Sequence, residues 1–284
     1  MLADLVEVLA CPVCGADFTL TGPALRCRNG HSFDVAKQGY VNLMPGGANP
    51  GTADTAEMVA ARAEFLTAGH YAPLAEALAA AAAAVIGGPP TVVLDAGAGT
   101  GYYLAAVLGA LRAGPNPAVV GLAMDISVRA LRRAARGAPG VGAIAWDTWR
   151  PFPIRPASVS LILNVFAPRN APEFHRVLRP GGTLLVVTPA GPHLAELAGT
   201  AAPLTVDDHK DTRLTATLGP YFTQGRRHTL TFPLRLSHED AATLIAMGPS
   251  AHHTTAAATH ARLATLPAPL PVTASFNLTT YHPR

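Results

Sequence analysis

All three cysteines of this 284-residue chain lie within its first thirty residues. Cys11, Cys14 and Cys27 are followed by His31 at the spacing Cys-x2-Cys-x12-Cys-x3-His. Three thiolates and an imidazole at this spacing can close a tetrahedron around Zn²⁺, and a closed set of four protein ligands is typical of a structural zinc. The alternative is one disulfide plus a free thiol. Gly15 and the turn at 28–30 favour zinc, so we predict a small zinc module joined to a larger part.

The length and composition limit which kinds of protein the chain can be. The chain is long enough for one large domain plus an appendage. No apolar run reaches the ~20 residues that a membrane-spanning helix needs, since the longest candidate, 74–86, is too short and contains Glu76. The N-terminus lacks the basic segment of a secretory signal. Cysteines in a metal pattern suit a reducing compartment, so we expect a cytoplasmic protein without membrane contact.

The charge is weakly basic and rests on arginine. The net charge is +3, and only two of the 21 basic residues are lysines. Arginine favours bidentate contacts with phosphate and stacking on bases, so the composition is compatible with an anionic partner. In the zinc module, Arg26, Arg28 and Lys37 are candidates for phosphate contacts.

The chain divides into three parts by composition. Residues 1–44 form the predicted zinc module, in which Phe18, Leu20 and Leu25 alternate with polar residues as in a hairpin. Residues 45–55 are rich in glycine and proline and read as a linker. Residues 56–284 form the predicted large domain, which opens with helices over 56–66 and 71–86 and a stop signal at 87–90. Residues 201–225 give no assignment.

Beyond residue 90, strand-like and helix-like segments alternate. Buried strands are predicted at 91–95, 119–125, 141–146, 159–164 and 183–188, with helices at 102–112, 128–136 and 172–178. A turn is predicted at 179–182, and two further strands at 227–233 and 273–280 flank an alanine-rich helix. Such alternation predicts an α/β fold, with a mostly parallel sheet and helices on both faces.

A glycine-rich loop follows the first of these strands. Asp95 is followed by Gly97, Gly99 and Gly101 in the pattern D-x-G-x-G-x-G. Glycines here let the backbone approach a ligand at the carboxyl end of the sheet. The leading acid and the glycine spacing depart from the dinucleotide fingerprint. They suit a cationic ligand that carries an amino acid, such as S-adenosylmethionine, better than a pyrophosphate.

Polar residues also end the next three strands. Asp125 is placed to accept the ribose hydroxyls of an adenosine, Asp147 to reach the adenine amino group, and Asn164 to lie where a transferable methyl would sit. The carboxyl ends of parallel strands converge on one crevice, so these residues and Asp95 predict a single site. For any one of them, a solvated strand end or a helix cap is the alternative. Trp146 and Trp149 flank Asp147 and would either stack on a base or pack in the core.

The chain resembles the class I S-adenosylmethionine-dependent methyltransferases, with a Rossmann-like, seven-stranded, mostly parallel sheet. Within them it is similar to the RlmA family of 23S rRNA (guanine-N1-)-methyltransferases, in the tylosin-resistance (TlrB-like, RlmA type II) branch. The likeness covers almost the whole chain. It rests on the zinc-ligand motifs and on Ala36-Lys37, Gly39-Tyr40-Val41-Asn42-Leu43, Glu57-Met58, Ala61-Arg62, Phe65-Leu66, Gly69-His70-Tyr71, Gly101-Tyr102-Tyr103, Arg179-Pro180-Gly181-Gly182, Thr188-Pro189 and His193-Leu194.

The resemblance implies a function and further site residues. It implies methylation of N1 of a guanine in hairpin 35 of 23S rRNA, nucleotide 748 in this branch, with resistance to tylosin-type macrolides. It also implies a homodimer, a zinc module that helps to hold the rRNA, and cofactor contacts from Tyr71, Gly99, Thr100 and His193. The chain departs from relatives at Ala98, where many have Cys, and at Asn164, where some have Arg.

Several points stay open on the sequence. Tyr71 would otherwise be an ordinary core aromatic, and His193 a histidine at a helix start that faces water. Asn164 is a weak candidate for a catalytic residue, and no proton acceptor is identified. The competing functions are a zinc-dependent nucleic-acid-binding protein with a non-catalytic Rossmann-like domain, and a small-molecule methyltransferase. The acids Asp95, Asp125 and Asp147 argue against the first, and the family likeness over 11–71 argues against the second.

Overall fold

The computed structural model describes residues 2–47, 54–86, 91–114, 116–197, 210–248 and 255–284. Most of the predicted linker 45–55 and all of the predicted stop signal 87–90 lie outside the described residues. So does the first part of the unassigned stretch, 201–209. Within the described part of the chain, no helix is both long and apolar enough to cross a membrane.

The N-terminal module contains a small antiparallel sheet. Its strands are β1 (Phe18–Thr21), β2 (Ala24–Cys27) and β3 (Ser32–Asp34), in that order across the sheet. β1 and β2 form the predicted hairpin, and Gly22 occupies its turn with φ 56°, a conformation that glycine adopts without steric cost. The turn after β2 carries His31 back beside Cys27, so the hairpin and this turn bring the zinc-binding candidates together.

A second sheet of eight strands forms the body of the molecule. Its strands are β4 (Tyr40–Asn42), β5 (Val92–Ala96), β6 (Val120–Asp125), β7 (Val141–Ala145), β8 (Val159–Val165), β9 (Leu178–Pro189), β10 (Phe222–Leu236) and β11 (Leu270–Pro283). They lie in the order β10-β11-β9-β8-β5-β6-β7-β4. The strands from β9 to β4 are parallel, and β11 is antiparallel to both β9 and β10. The predicted fold class is confirmed.

Eight helices connect or cover these strands in the described part of the chain. They are α1 (Ala56–Thr67), α2 (Ala72–Val85), α3 (Tyr102–Ala113), α4 (Val128–Gly137), α5 (Ala171–Val177), α6 (Lys210–Leu218), α7 (His238–Ala246) and α8 (Ala256–Leu263). Side-chain oxygens of Thr55, Ser127 and Ser237 cap α1, α4 and α7 by accepting backbone N–H groups. Capping of this kind fixes where each helix begins.

Alternate residues of the central strands face two separate cores. Val93 of β5 lies in a core with Leu74 and Leu104 from the helices, whereas Leu94 lies in a core on the other face with Leu5 and Phe174. Helices α1 to α4, α7 and α8 cover the first face. The second face is covered by α5, α6 and the N-terminal module, so this module replaces helices as a layer of the fold.

The module is also continuous with the large sheet. β4, from the end of the predicted module 1–44, pairs in parallel with β7, and Val41 is fully buried. The sheet therefore has one strand more than the seven that the resemblance implies. A side chain at Gly142 of β7 would overlap Leu5, which shows how closely the N-terminal segment packs on the sheet.

Two other features differ from the sequence predictions, and the structure assigns elements to part of the stretch that had no prediction. Residues 179–182, predicted as a turn, lie inside the longer β9, where the pairing with β8 shifts register and Gly181 has φ 74°. The single helix predicted between the last two strands is a pair, α7 and α8. The unassigned stretch contains α6 and the start of β10.

Candidate cofactor and zinc sites

The four zinc-ligand candidates converge. The sulfurs of Cys11, Cys14 and Cys27 and a ring nitrogen of His31 all lie within 4.8 Å of one another. The Cys14 and Cys27 sulfurs are 3.8 Å apart, and His31 Nδ1 lies 3.3 Å from the Cys27 sulfur and 3.6 Å from the Cys11 sulfur. A tetrahedron with Zn–S of about 2.3 Å and Zn–N of about 2.0 Å requires roughly 3.8 Å and 3.5 Å for these separations. The donor set and its geometry therefore fit Zn²⁺.

The same distances exclude the disulfide alternative. All three cysteines are free, and 3.8 Å between the Cys14 and Cys27 sulfurs is far above the ~2.05 Å of an S–S bond. A hydrogen bond from the Ala16 backbone N–H, followed by smaller polar contacts, lowers the pKa of Cys14 to about 6. A thiolate is the form that binds metal, so the local backbone already favours the ligand state.

The glycine loop is shaped by close approaches as well as by backbone conformation. Gly97 has φ 88°, and a side chain there would overlap Ala167 in the loop after β8. Gly101 has φ 79° at the start of α3, and a Cβ there would lie 2.9 Å from Ala134 of α4. Substituents at either position would be strained and crowded. The loop is therefore held between β8 and α4, at the carboxyl end of the sheet. Thr100, between Gly99 and Gly101, is half-buried.

Asp95 is a buried carboxyl with an unused acceptor. It is 1% exposed, and its Oδ1 has no hydrogen-bond partner among the described residues. Burial, with a smaller contribution from the Asp125 charge, raises the pKa of Asp95 to about 8. Buried polar groups are normally paired, and an isolated buried carboxylate is costly. An unpaired carboxyl here fits a ligand that brings a positive charge, as S-adenosylmethionine does.

Asp125 links the glycine loop to the next strand. Its two carboxylate oxygens accept the backbone N–H groups of Gly99, at 2.8 Å, and of Ser127, at 2.7 Å. Burial raises the pKa of Asp125, and these two hydrogen bonds oppose the shift. Each carboxylate oxygen has a second lone pair, so the side chain can still accept the two hydroxyls of a ribose.

Asp147 lies farther from the strand end than predicted. β7 ends at Ala145, and the Asp147 carboxylate accepts the backbone N–H of Trp149 at 2.9 Å in a tight turn. Trp146 is buried in the core, and its indole N–H donates to the Pro151 carbonyl. Trp149 is 67% exposed. Of the two tryptophans, only Trp149 can stack on a ligand base.

Asn164 is fully buried near the end of β8. Its amide nitrogen donates to the carbonyl of Ala96 at 3.3 Å and to that of Pro168 at 2.8 Å. The amide therefore ties the glycine loop strand to the loop after β8. Its Oδ1 is buried and has no partner among the described residues. Asn164 thus has a structural role and a free acceptor at the same site.

An aromatic cluster places Tyr71 and His193 together. Both rings pack on Phe276 of β11, with centroid distances of 5.1 Å for Tyr71 and 4.6 Å for His193. The Ser275 backbone N–H donates to His193 Nδ1 at 3.2 Å, so His193 does not simply face water. Burial raises the pKa of Tyr71 far above its usual range, and its phenol stays neutral. Tyr71 is buried in the main core, which agrees with the alternative that it is a core aromatic residue. It also lies next to His193.

Sequence reasoning assigns no individual site role to three residues beside this site, although one of them, Phe166, lies in the loop 164–168 that is expected near the methyl. Phe276 joins the cluster from the last strand, and no local pattern marks it. Phe166 is 43% exposed, has φ 54° and lies 5.4 Å from Phe276. A non-glycine residue in this conformation is strained and often marks a functional site. Arg62, which belongs to a family motif, forms an ion pair with Asp54 and lies against Gly99.

Comparison with solved structures identifies the class. The chain aligns with a chain of the complex between the Haloferax volcanii Trm112 methyltransferase activator and a methyltransferase. The TM-score is 0.50 at 20% identity, over 81% of this chain and 98% of the other. Together with the doubly wound sheet, this likeness places the fold among the class I S-adenosylmethionine-dependent methyltransferases.

Sequence relatives identify the family. A Micromonospora griseorubida protein described as a 23S rRNA (guanine-N(1)-)-methyltransferase is 49% identical, with both chains covered completely. The Streptomyces fradiae 23S rRNA (guanine(748)-N(1))-methyltransferase is 45% identical over 100% of this chain and 99% of its own length. The model of the RlmA N-terminal zinc ribbon matches residues 9–48. The chain belongs to the RlmA-type 23S rRNA (guanine-N1-)-methyltransferases.

Membership settles the open alternatives. The chain is an enzyme of this type, so a non-catalytic nucleic-acid-binding protein and a small-molecule methyltransferase are both excluded. S-adenosylmethionine is its methyl donor, and Zn²⁺ is the structural metal of its ribbon.

Proposed function

We propose that this chain methylates N1 of guanine 748 in hairpin 35 of 23S rRNA and thereby confers resistance to tylosin-type macrolides. The observation that carries the position is the 45% identity over full length with the Streptomyces fradiae enzyme, whose name specifies guanine 748. The likeness extends from the zinc ribbon through the glycine loop to the last strand.

The cofactor residues follow the order of the strands. Asp95 and the loop of Gly97, Gly99, Thr100 and Gly101 would hold the amino-acid end, Asp125 the ribose and Asp147 the adenine. Tyr71, His193 and Asn164 would surround the part that carries the methyl. The unpaired oxygens of Asp95 and Asn164 and the close approaches of Gly97 and Gly101 support this arrangement.

The reaction requires positioning more than acid–base strength. When bound, S-adenosylmethionine supplies a methyl carbon made electrophilic by its sulfonium. Guanine N1 would gain the methyl as the bond between sulfur and methyl breaks, and its proton would pass to water, since no protein acceptor is identified. The base must be unpaired or flipped because N1 lies on the Watson–Crick edge. The Asn164 Oδ1 would accept a hydrogen bond from the edge of the base, and the exposed Phe166 ring would stack on its face. Both would align N1 with the methyl.

The N-terminal ribbon would supply substrate recognition. Arg26, Arg28 and Lys37 are exposed on it and would contact phosphates. As the family likeness implies, we propose a homodimer whose two subunits form the RNA cleft. We also propose a cytoplasmic location, which the ribosomal RNA substrate of the relatives supports.

Methyl transfer to a transcript of hairpin 35 tests the proposal. Labelled methyl should enter the wild-type transcript, and reverse transcriptase should stop at position 748, because N1-methylguanine cannot form a Watson–Crick pair. A transcript with adenine at 748 is the matched substrate control, and the Asp95→Asn enzyme is the matched protein control. Label without a stop would exclude N1, and a stop at another guanine would exclude position 748. Resistance is tested by expressing both enzymes in a tylosin-sensitive host.

A further inference from the structure

The outer face of α4 carries four arginines that the cofactor site does not use. Arg129, Arg132, Arg133 and Arg136 are all exposed, at the spacing i, i+3, i+4 and i+7 that places residues on one side of a helix. The opposite side, with Ala130, Leu131, Ala134 and Ala135, is buried against the sheet. We call these four residues the α4 arginine face.

The α4 arginine face is not neutralised within the described part of the chain. No carboxylate there lies within ion-pair distance of these guanidinium groups. The pKa of Glu57 is lowered first by hydrogen bonds from its own backbone and from Thr55, and then by the charge of Arg129. Like charges at i, i+3 and i+4 repel one another, and a cation in the first turn opposes the helix dipole. Repulsion among the four guanidinium groups and the position of Arg129 are therefore unfavourable in the isolated protein, whereas Arg136 in the last turn suits the helix dipole.

A shallow cavity lies under these side chains. Its volume is about 660 Å³, and the four arginines line it together with Ala56 and Val59 of α1. None of the predicted cofactor residues lines this cavity. The feature is therefore separate from the strand-end site.

The helix α4 contacts both the ribbon segment and the glycine loop through residues of its buried side. On one side, a Cβ at Gly39, two residues after Lys37, would lie 3.7 Å from the Cβ of Ala135. On the other side, Ala134 packs against Gly101 of the glycine loop. α4 is therefore a direct neighbour of both the ribbon segment and the glycine loop, and its four arginines lie on the exposed side of the same helix.

We propose that the α4 arginine face binds the phosphate backbone of the RNA substrate and continues the ribbon surface toward the active site. The inference rests on the proposed rRNA substrate. Guanidinium groups suit phosphate oxygens because they bind them in bidentate fashion. Four exposed arginines along about two helical turns match a chain of regularly spaced charges better than a single small anion. A partner protein that covers this face is the competing occupant.

The test compares Arg132→Gln/Arg133→Gln with a matched control. The control, Arg226→Gln/Arg235→Gln, removes the same charge from β10, at the opposite edge of the sheet from β4. Fluorescence anisotropy measures Kd for the hairpin transcript and for an unrelated RNA hairpin across a salt series. The slope of log Kd against log salt concentration should fall by roughly 1.4–1.8 when two phosphate contacts are lost. Kd should rise roughly 25- to 60-fold at about 0.1 M salt. Both RNAs should respond, since phosphate contacts carry no sequence information.

Further readouts separate the possible failures. Arg132→Lys/Arg133→Lys retains the charge and should keep most of the salt slope, and calorimetric affinity for S-adenosylmethionine should be unchanged in all variants. An unchanged salt slope in the α4 variant, or an equal loss in the β10 control, would overturn the inference. A change of oligomeric state without a change in RNA affinity would assign the face to a protein partner instead. A wild-type enzyme that binds RNA through this face but does not methylate the transcript would refute the proposed function alone.

Discussion

Asp95 should make cofactor affinity depend on pH. Its carboxyl is buried, its Oδ1 is unpaired, and its pKa is raised to about 8 by burial first and by Asp125 second. The protonated form therefore dominates in the free enzyme at neutral pH. A ligand ammonium or sulfonium prefers the ionised form, so binding must be accompanied by loss of this proton.

The size of the effect follows from that pKa. About 1% of Asp95 is ionised at pH 6 and about 9% at pH 7, given a pKa of about 8. If only the ionised enzyme binds, affinity for S-adenosylmethionine should rise about ninefold between these pH values. This range avoids the ligand's own α-amino group, which titrates near 8. At pH 7, binding should release about 0.9 proton per site.

Calorimetry in buffers of different ionisation enthalpy measures both quantities. The Asp95→Asn enzyme is nearly isosteric and should bind more weakly, with little pH dependence and without the proton release. A second check needs no ligand. A carboxyl whose folded pKa exceeds its unfolded value destabilises the fold as pH rises from about 4 toward 8, so the Tm of the free wild type should fall over this range more than that of Asp95→Asn. The reasoning would be refuted if the affinity for S-adenosylmethionine did not change from pH 6 to 7. It would also be refuted if the Tm of the wild type and that of Asp95→Asn fell equally with pH.

Three further predictions concern the zinc, the loop and the base. Cys14→Ser should abolish zinc binding and lower the Tm of the whole chain, which should still unfold in one calorimetric transition because the ribbon is a layer of the main core. A separate unfolding transition at lower temperature, with the Tm of the main transition unchanged, would contradict this. Gly101→Ala should destabilise the chain by about 1–3 kcal/mol in urea unfolding, because φ is 79° and Ala134 lies 2.9 Å from the added Cβ. Phe166→Ala should lower kcat/KM for RNA roughly 5- to 150-fold while Kd for S-adenosylmethionine stays nearly constant, because a stacked base contributes about 1–3 kcal/mol; an equal loss of both would assign Phe166 to the cofactor pocket.

The sequence predicts the parts of the fold that local patterns determine. The zinc set can be recognised because its ligands lie within one short motif. The strand from Val92 is recognised because its residues are all apolar up to Asp95 and a glycine loop follows. The convergence of Asp95 and Asp125 then follows from parallel pairing, which brings the carboxyl ends of adjacent strands to one edge.

Other features depend on contacts that no local pattern reports. β4 has only three residues, and its partner β7 is about one hundred residues away, so its pairing is determined by the tertiary fold. Phe276 reaches Tyr71 only because β11 inserts between β9 and β10. The φ of Phe166 is imposed by the packing around it and leaves no mark in the composition.

The pairing of β4 with β7 changes what the zinc does for catalysis. β7 leads directly to Asp147, at the adenine end of the predicted cofactor site, and the strand beside it belongs to the ribbon segment. The connection from β3 to β4 is short and hydrogen-bonded, since the Ala36 backbone N–H donates to the Tyr40 carbonyl, and β4 pairs with β7. The proposed RNA surface of the ribbon and the glycine loop are therefore parts of one packed body. Effective molarity depends on such fixed geometry, and a misplacement of about 1 Å can cost about a hundredfold in rate. If the ribbon holds the RNA as proposed, loss of zinc should therefore lower kcat as well as weaken RNA binding, because the ribbon would also set the distance of the RNA from the methyl group.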